Sequence, residues 1–301
     1  MSMPFYVSPE QQMRDKSDYA RKGVGRSRSS VVLQYAGGIL MATPNASTVL
    51  HKISEIYDRI AFAAVGRYNE YEVLRKAGVT YADVTGYQFD RGDVTAHGLA
   101  NWYAQALSAT FTESMKPYEV EIVVAEVGAR PDTDQIYRIT WDGSVSDEPG
   151  YVAFGGQAAQ VAVVLKERFS DNMSLTEALA AALAALTAPP PSPPASASSA
   201  SASASGYASA RSASASSAAS TANNTPTELT AAQLEVAILD RARAHRTFRR
   251  LSGPRLEELI AESRATSAAA EIEVTAESPA EEPPTGPAAG GDGTPKPPTA
   301  K

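Results

Sequence analysis

The apolar and polar positions near the start of the chain predict one helix followed by two hairpins. Ser8 can cap a helix, Pro9 suits its first position and Gln11 completes a capping box, so we expect a helix over residues 8–22. Runs of apolar residues then predict four strands, at residues 30–36, 39–43, 53–57 and 60–65. The pair Gly37-Gly38 joins the first two strands, because glycine tolerates the positive φ angles of a tight hairpin.

Helical spacing dominates the next part of the chain. A helix is expected over residues 70–77, where Gly78 would end it. From residue 99 to residue 115, apolar residues recur three and four positions apart and give a second helix a wide apolar face. Three strands follow, at residues 120–127, 136–141 and 151–154, and then two helices. The second of these, over residues 174–186, opens with a capping box formed by Ser174 and Glu177.

Two low-complexity segments interrupt this pattern. Residues 189–232 are rich in Pro, Ala and Ser and predict a disordered insert, because these side chains bury too little apolar area to offset the entropy of ordering. Residues 264–301, an acidic tail rich in Pro and Ala, are expected to be disordered for the same reason. Between them, residues 233–263 predict two strands and a helix. About thirty residues cannot bury a hydrophobic core alone, so we expect this segment to complete the domain begun by residues 1–188.

Strands and helices come in groups rather than in strict alternation. The predicted order is a helix, four strands, two helices, three strands, two helices, the insert, two strands and a final helix. Grouping of this kind favours antiparallel sheets with helices layered outside them, so the predicted fold class is α+β.

Composition and charge exclude several classes of function. The 301 residues include no Cys, which excludes disulfides and cysteine nucleophiles, and the three His residues are scattered, so no metal site and no cofactor are expected. A net charge of -7 makes nucleic acid and anionic membranes unfavourable partners. The arginine-rich stretch 241–255 lies beside acidic residues, and we interpret it as a solvated or subunit-contacting face. The amino terminus lacks a signal-peptide pattern and no apolar run could span a membrane, which predicts a cytoplasmic protein.

Several short motifs, taken in order, resemble one family. They are Ser8-Pro9, Tyr19-Ala20-Arg21, Gly37-Gly38, Lys52, Gly66 and Lys116-Pro117-Tyr118. Together they resemble the proteasome α-subunit family over residues 1–186 and 234–260. The resemblance implies a four-layer αββα sandwich of the amino-terminal nucleophile hydrolase type. Asp18 replaces a common glutamate, and Glu119 stands where archaeal members have glycine; both departures resemble the actinobacterial 20S subunit.

The resemblance implies that the chain has no catalytic site of its own. Active β-type relatives use an amino-terminal threonine with an aspartate and a lysine nearby, and the matching positions here hold Arg28, Pro44 and Lys52. Only the lysine is retained, and arginine has no nucleophilic hydroxyl. One alternative is a self-processed amino-terminal serine hydrolase in which Ser29 or Ser30 becomes the nucleophile, which would require removal of the first helix. Another is a purely structural ring protein with no protease.

The resemblance also implies where such a subunit acts. Seven copies would form a ring that contacts proteasome β-type subunits and a hexameric ring ATPase. The substrates would be proteins tagged with a ubiquitin-like modifier. The implied gate at the axial opening is Met3, Pro4, Phe5, Tyr6 and Val7. The implied activator-docking pocket is Lys52, Gly66 and Asp18, and the implied pore loop is Lys116, Pro117 and Tyr118. Two alternatives stay open: a frayed terminus in place of the gate, and a solvated strand lysine with a turn glycine in place of the pocket.

Overall fold

The computed structural model of the chain describes residues 8–188 and 229–276, with side chains described as far as Thr266. The predicted gate, residues 3–7, lies outside the described residues. Residues 189–228 of the predicted insert and residues 277–301 of the predicted tail lie outside them as well.

Helices and strands occupy most of the described ranges. The α-helices are α1 (Pro9–Gly25), α2 (Tyr68–Gln88), α3 (Ala96–Glu113), α4 (Ala158–Arg168), α5 (Leu175–Thr187) and α6 (Pro254–Ala276). The strands are β1 (Ser30–Tyr35), β2 (Gly38–Pro44), β3 (Ile53–Tyr57), β4 (Ile60–Gly66), β5 (Val120–Glu126), β6 (Gln135–Ile139), β7 (Val145–Asp147), β8 (Tyr151–Phe154), β9 (Leu234–Asp240) and β10 (Phe248–Leu251). Most of the predicted elements are therefore present, with their ends shifted by a few residues.

The strands of the described ranges form two antiparallel sheets. The first sheet has the order β10-β9-β2-β1-β8 and the second has the order β3-β4-β5-β6-β7. Strand β9 pairs with β2 over its full length, from Leu234 opposite Pro44 to Asp240 opposite Gly38. Residues that follow the insert thus lie in the same sheet as residues that precede it.

Apolar side chains on both faces of each sheet define four layers. Residues such as Val32, Met41, Ala63 and Val123 fill the space between the two sheets. Helices α4, α5 and α6 cover the outer face of the first sheet, and helices α2 and α3 cover the outer face of the second. Burial of these faces provides the main driving force for the layering. The predicted αββα sandwich is confirmed.

Helix α1 lies at the end of the sandwich and is fixed by polar contacts. The Ser8 hydroxyl caps the helix, as predicted, by accepting a hydrogen bond from the backbone N–H of Gln11 at 3.2 Å. The second half of the predicted capping box is not formed, because the Gln11 amide donates instead to Asp15 at 2.7 Å. The Lys16 ammonium donates at 3.0 Å to the carbonyl oxygen of Phe111 in the last turn of α3, where a cation suits the helix dipole.

The predicted end of helix α2 at Gly78 is wrong, since the helix continues to Gln88. Gly78 serves a different purpose, because the ring of Tyr103 from α3 packs directly against its backbone. A Cβ atom at Gly78 would lie 1.8 Å from the Tyr103 hydroxyl oxygen, which itself donates to the carbonyl oxygen of Leu74 at 3.1 Å. The glycine therefore permits close packing of two helices and does not end one.

Two further elements and one residue differ from the prediction. Strand β7 was not predicted, because Val145–Asp147 is short and exposed on both faces and so has no apolar alternation. Leu229, inside the predicted insert, is buried in the outer core of the first sheet. Helix α6 extends into the predicted tail, because residues 264–276 contain no proline and are rich in alanine, a strong helix former.

Candidate functional site

Lys52 lies immediately before β3 and is partly buried at the end of the sandwich. Its ammonium donates a hydrogen bond to the carbonyl oxygen of Pro44 at 3.1 Å. Burial lowers the pKa of this ammonium; the carboxylate of Glu235 opposes that effect and the positive charge of Arg28 adds to it. Among the residues that the structure describes, no carboxylate oxygen lies within 4.0 Å of the ammonium. Lys52 thus presents a desolvated positive charge without an ion-pair partner.

Gly66 is the last residue of β4 and lies close to Lys52. The backbone N–H of Ala64 donates to the carbonyl oxygen of Lys52 at 2.9 Å, which brings Lys52 to within two residues of Gly66 along the sheet. The φ angle of Gly66 is +109°, and a Cβ atom there would lie 1.9 Å from the carbonyl oxygen of Glu119. Only glycine fits this position without strain. Two of the three residues predicted for the docking pocket therefore lie in the same region of the second sheet, two positions apart in strand register.

Asp18, the third residue predicted for the pocket, is exposed on α1. Its carboxylate is 3.8 Å from the guanidinium of Arg21 in the next turn. Within the described part of one protomer, the Asp18 side chain has no hydrogen bond or ion pair with Lys52 or Gly66. A single copy of the chain therefore does not assemble the complete predicted pocket.

The predicted pore loop is fixed by two acidic residues. The Lys116 ammonium donates to Glu70 at 2.6 Å and lies 3.3 Å from Glu119, and the bond to Glu70 raises the pKa of the ammonium. The second oxygen of Glu70 accepts from the backbone N–H of Glu119 at 2.6 Å. Pro117 is buried, and Tyr118 packs against the core beneath α2 and α3. These contacts hold the loop against the start of α2.

Glu119 also connects the pore loop to helix α1. Its carboxylate is buried and lies 3.3 Å from the Arg67 guanidinium. The backbone of Gly23 in α1 packs so closely that a Cβ atom would lie 2.2 Å from a Glu119 carboxylate oxygen. The buried Glu119 carboxylate consequently connects helix α1, the predicted pore loop and the residue that follows β4.

The positions that match the β-type catalytic residues have no catalytic arrangement. Arg28 is exposed and is followed by the two candidate nucleophiles, Ser29 and Ser30. The Ser29 hydroxyl accepts from the backbone N–H of Gln157 at 2.8 Å, and the Ser30 hydroxyl donates to that of Thr43 at 2.7 Å. Both serines are buried, and no described carboxylate or imidazole contacts either hydroxyl. Neither hydroxyl contacts a side-chain base that could activate it.

Sequence reasoning missed two residues that surround Lys52. Glu235 on β9 accepts from the backbone N–H of Lys52 at 3.0 Å and is paired with Arg250 on β10. An acidic residue within the apolar run of β9 was the available signal for Glu235. Arg250 belongs to the arginine-rich stretch, in which the structure pairs five arginines with carboxylates: Arg241 with Asp134, Arg246 with Glu55, Arg249 with Asp240, Arg250 with Glu235 and Arg255 with Glu258.

The part of the chain that the structure describes contains neither a metal-binding cluster nor a membrane-spanning helix. Residues 8–188 and 229–276 contain no group of three or more His, Cys, Asp or Glu side chains that could hold a metal ion. Over the same ranges, no helix is both long enough and apolar enough to cross a lipid bilayer.

Comparison with known proteins places the chain in one family. The family described as "Proteasome subunit" matches residues 25–189. The protein named "Proteasome subunit alpha" of Streptosporangium roseum is 57% identical over 284 residues, which cover 94% of this chain and 96% of that protein. Proteins of the same name from Thermomonospora curvata and Thermobifida fusca are 57% and 54% identical over 87% of this chain, and the matches cover 99% and 92% of those proteins. The chain belongs to the proteasome family, as a non-catalytic α-type subunit of the actinobacterial 20S proteasome.

Proposed function

We propose that this subunit docks the tail of a ring-shaped ATPase activator and gates the passage of substrates into the particle. The observation that carries the proposal is the state of Lys52. Its ammonium is partly desolvated, is held by one carbonyl oxygen and has no described carboxylate within ion-pair distance. Such a group binds an external anion strongly, because part of the desolvation cost has already been met in the folded subunit.

The carboxyl-terminal group of a peptide is the anion that suits this site. A carboxylate would accept a charge-assisted hydrogen bond from Lys52. Gly66 would shape the end of β4 near this site, because its positive φ angle and missing side chain let the strand pack on the Glu119 carbonyl oxygen. Asp18 would come from a neighbouring copy of the chain, since it is exposed and does not contact Lys52 within one protomer. The proposed pocket therefore lies between subunits.

The proposed gate and pore loop are connected to the same surface. Residues 3–7 directly precede α1 and are largely apolar, which suits packing against the same residues of symmetry-related copies. The pore loop, Lys116 to Tyr118, is held by Glu70 and Glu119, so it would form a fixed collar at the opening. A moving gate above a fixed collar would limit which substrates enter.

The proposed partners follow from this arrangement. The chain would form a homo-heptameric ring, stack on β-type subunits and receive a hexameric ring ATPase at the pocket containing Lys52. The substrates would be cytoplasmic proteins that carry a ubiquitin-like modifier. No nucleic acid and no membrane is proposed as a partner.

Replacement of Lys52 tests the docking proposal. In particles assembled with β-type subunits, Lys52→Ala should abolish stimulation by the ATPase and weaken binding of a peptide with the activator's tail sequence by roughly 30-fold or more, since one partner of a buried charge pair is lost. Lys166→Ala, at an exposed position on α4, is the matched control and should change neither result. Retained stimulation in Lys52→Ala would remove Lys52 from the docking site.

A further inference from the structure

Glu235 has an unusually complete set of hydrogen-bond donors for a buried carboxylate. One oxygen accepts from the Asn45 amide at 2.8 Å and from the backbone N–H of Lys52 at 3.0 Å. The other accepts from the backbone N–H of Ile53 at 3.3 Å and from the Arg250 guanidinium. These four donors occupy the principal acceptor sites of the carboxylate, and Nδ1 of His51 lies 3.3 Å from the oxygen that accepts from Ile53 and Arg250, so little capacity is left for a further strong hydrogen bond.

Arg250 connects this carboxylate to the strand that follows Lys52. One guanidinium nitrogen donates to Glu235, and another donates to the carbonyl oxygen of Ile53 at 2.7 Å. The guanidinium also lies 5.8 Å from the ring centre of Phe248 on the same strand. Arg250 therefore neutralises the Glu235 charge and fixes the start of β3 at the same time.

The two charges of Lys52 and Glu235 are close in the fold but are not paired with each other. The Glu235 carboxylate accepts a hydrogen bond from the backbone N–H of Lys52, whereas the Lys52 ammonium donates to the carbonyl oxygen of Pro44. A buried carboxylate without another cation would be expected to attract the nearest ammonium, because an unpaired charge in this environment is costly. Arg250 fills that role and leaves the ammonium of Lys52 without a carboxylate.

We propose that Glu235 and Arg250 are positioning residues for the docking site. Glu235 holds the backbone of Lys52 in place, and Arg250 neutralises Glu235 so that the Lys52 ammonium stays available to the carboxylate of an incoming peptide tail. This inference rests on the proposed docking function of Lys52. In this arrangement the charge of Arg250 on β10, 198 positions along the chain from Lys52, controls whether the Lys52 ammonium is available for docking.

A charge-compensation experiment tests the inference. The probe is a peptide with the activator's tail sequence, bound to particles that contain β-type subunits and carry Arg250→Met, Glu235→Gln or both changes. Arg250→Met should weaken binding about tenfold, because the freed Glu235 competes for Lys52. The double variant should recover most of this loss, because glutamine removes the competing charge while its carbonyl oxygen can still accept from the backbone N–H of Lys52. Arg249→Met is the matched control, since Arg249 pairs with Asp240 and not with Glu235.

Each outcome decides the inference. Binding by the double variant that is as weak as that by Arg250→Met, or unchanged binding by Arg250→Met, would overturn it. If Arg250→Met does not assemble, Arg250→Lys, which keeps the charge but not the geometry, takes its place. Binding within about threefold of the natural chain then supports charge neutralisation, and a loss of tenfold or more contradicts it. Unchanged binding by Lys52→Ala would refute the docking function itself. Loss in Lys52→Ala together with normal binding by Arg250→Met would refute only the positioning role.

Discussion

At the scale of single residues, burial determines what Lys52 can do. Desolvation favours its neutral form, and the nearby Glu235 carboxylate counteracts this effect. Because the ammonium is partly desolvated, its charged form is destabilised, and a bound carboxylate would stabilise that form again. The same environment makes the charge of Lys52 sensitive to pH.

Docking of a peptide carboxylate should weaken at high pH, and earlier than for an ordinary lysine. In the proposed docking the charged form of Lys52 binds the carboxylate, so binding should be fully present below the lowered pKa and should be lost as pH rises through it. Arg28→Ala should move this loss to higher pH, because Arg28 contributes to the lowering. The measurement is the affinity of a tail peptide as a function of pH in both particles. Identical midpoints would show that Arg28 does not act on Lys52.

Gly66 provides a second test at this scale. Gly66→Ala should destabilise the subunit by about 1–3 kcal/mol, because the residue has a positive φ angle and the added Cβ would collide with the Glu119 carbonyl oxygen. Gly25→Ala is the control, since a Cβ there meets nothing within 4 Å. Thermal unfolding of the two variants would show the difference. Equal melting temperatures would mean that the end of β4 tolerates a side chain.

The sequence was informative for some site residues and not for others. Lys52 and Gly66 belong to motifs that resemble a known family, and in the structure Lys52 lies opposite Ala64, two residues from Gly66. Glu235 and Arg250 were missed, because their importance comes from contacts with Lys52 and Ile53 that span more than 180 positions of the chain. No local pattern of apolar and polar residues encodes such a contact.

At the scale of elements, the helices show which sequence signals are local. The caps at Ser8 and Ser174 were predicted, because capping depends on residues three positions apart. The end of α2 was mispredicted, because glycine marks a helix end in some contexts and a close helix contact in others. The neighbour that decides between these, Tyr103, lies on a different helix.

The contact between α2 and α3 can be tested with a pair of substitutions. Gly78→Ala should destabilise the subunit by roughly 1–3 kcal/mol, because the new methyl group collides with the buried Tyr103 hydroxyl. Tyr103→Phe removes that oxygen and should relieve part of the cost in the double variant. Denaturant unfolding of the two single variants and the double variant gives the coupling energy. Purely additive effects would contradict the proposed collision.

At the scale of the whole molecule, the layered fold was predictable and the strand order was not. Grouped strands and helices favoured an α+β sandwich, and the resemblance to a family supplied the four layers. The order β10-β9-β2-β1-β8 depends on the return of the chain after residues 189–228, and no local signal specifies that β9 pairs with β2. Long-range pairing of this kind is visible only in the folded structure.

Hydrolysis of a peptide by separately purified chains tests most directly whether this subunit lacks a catalytic site of its own. The chain alone, a β-type partner and the two combined would be assayed under identical conditions, with the mass of this chain checked for processing. We expect the chain alone to be inactive and unprocessed at Ser29, and the assembled particles to be active. Hydrolysis by the chain alone that disappears when Ser29 and Ser30 are replaced by alanine would contradict this expectation.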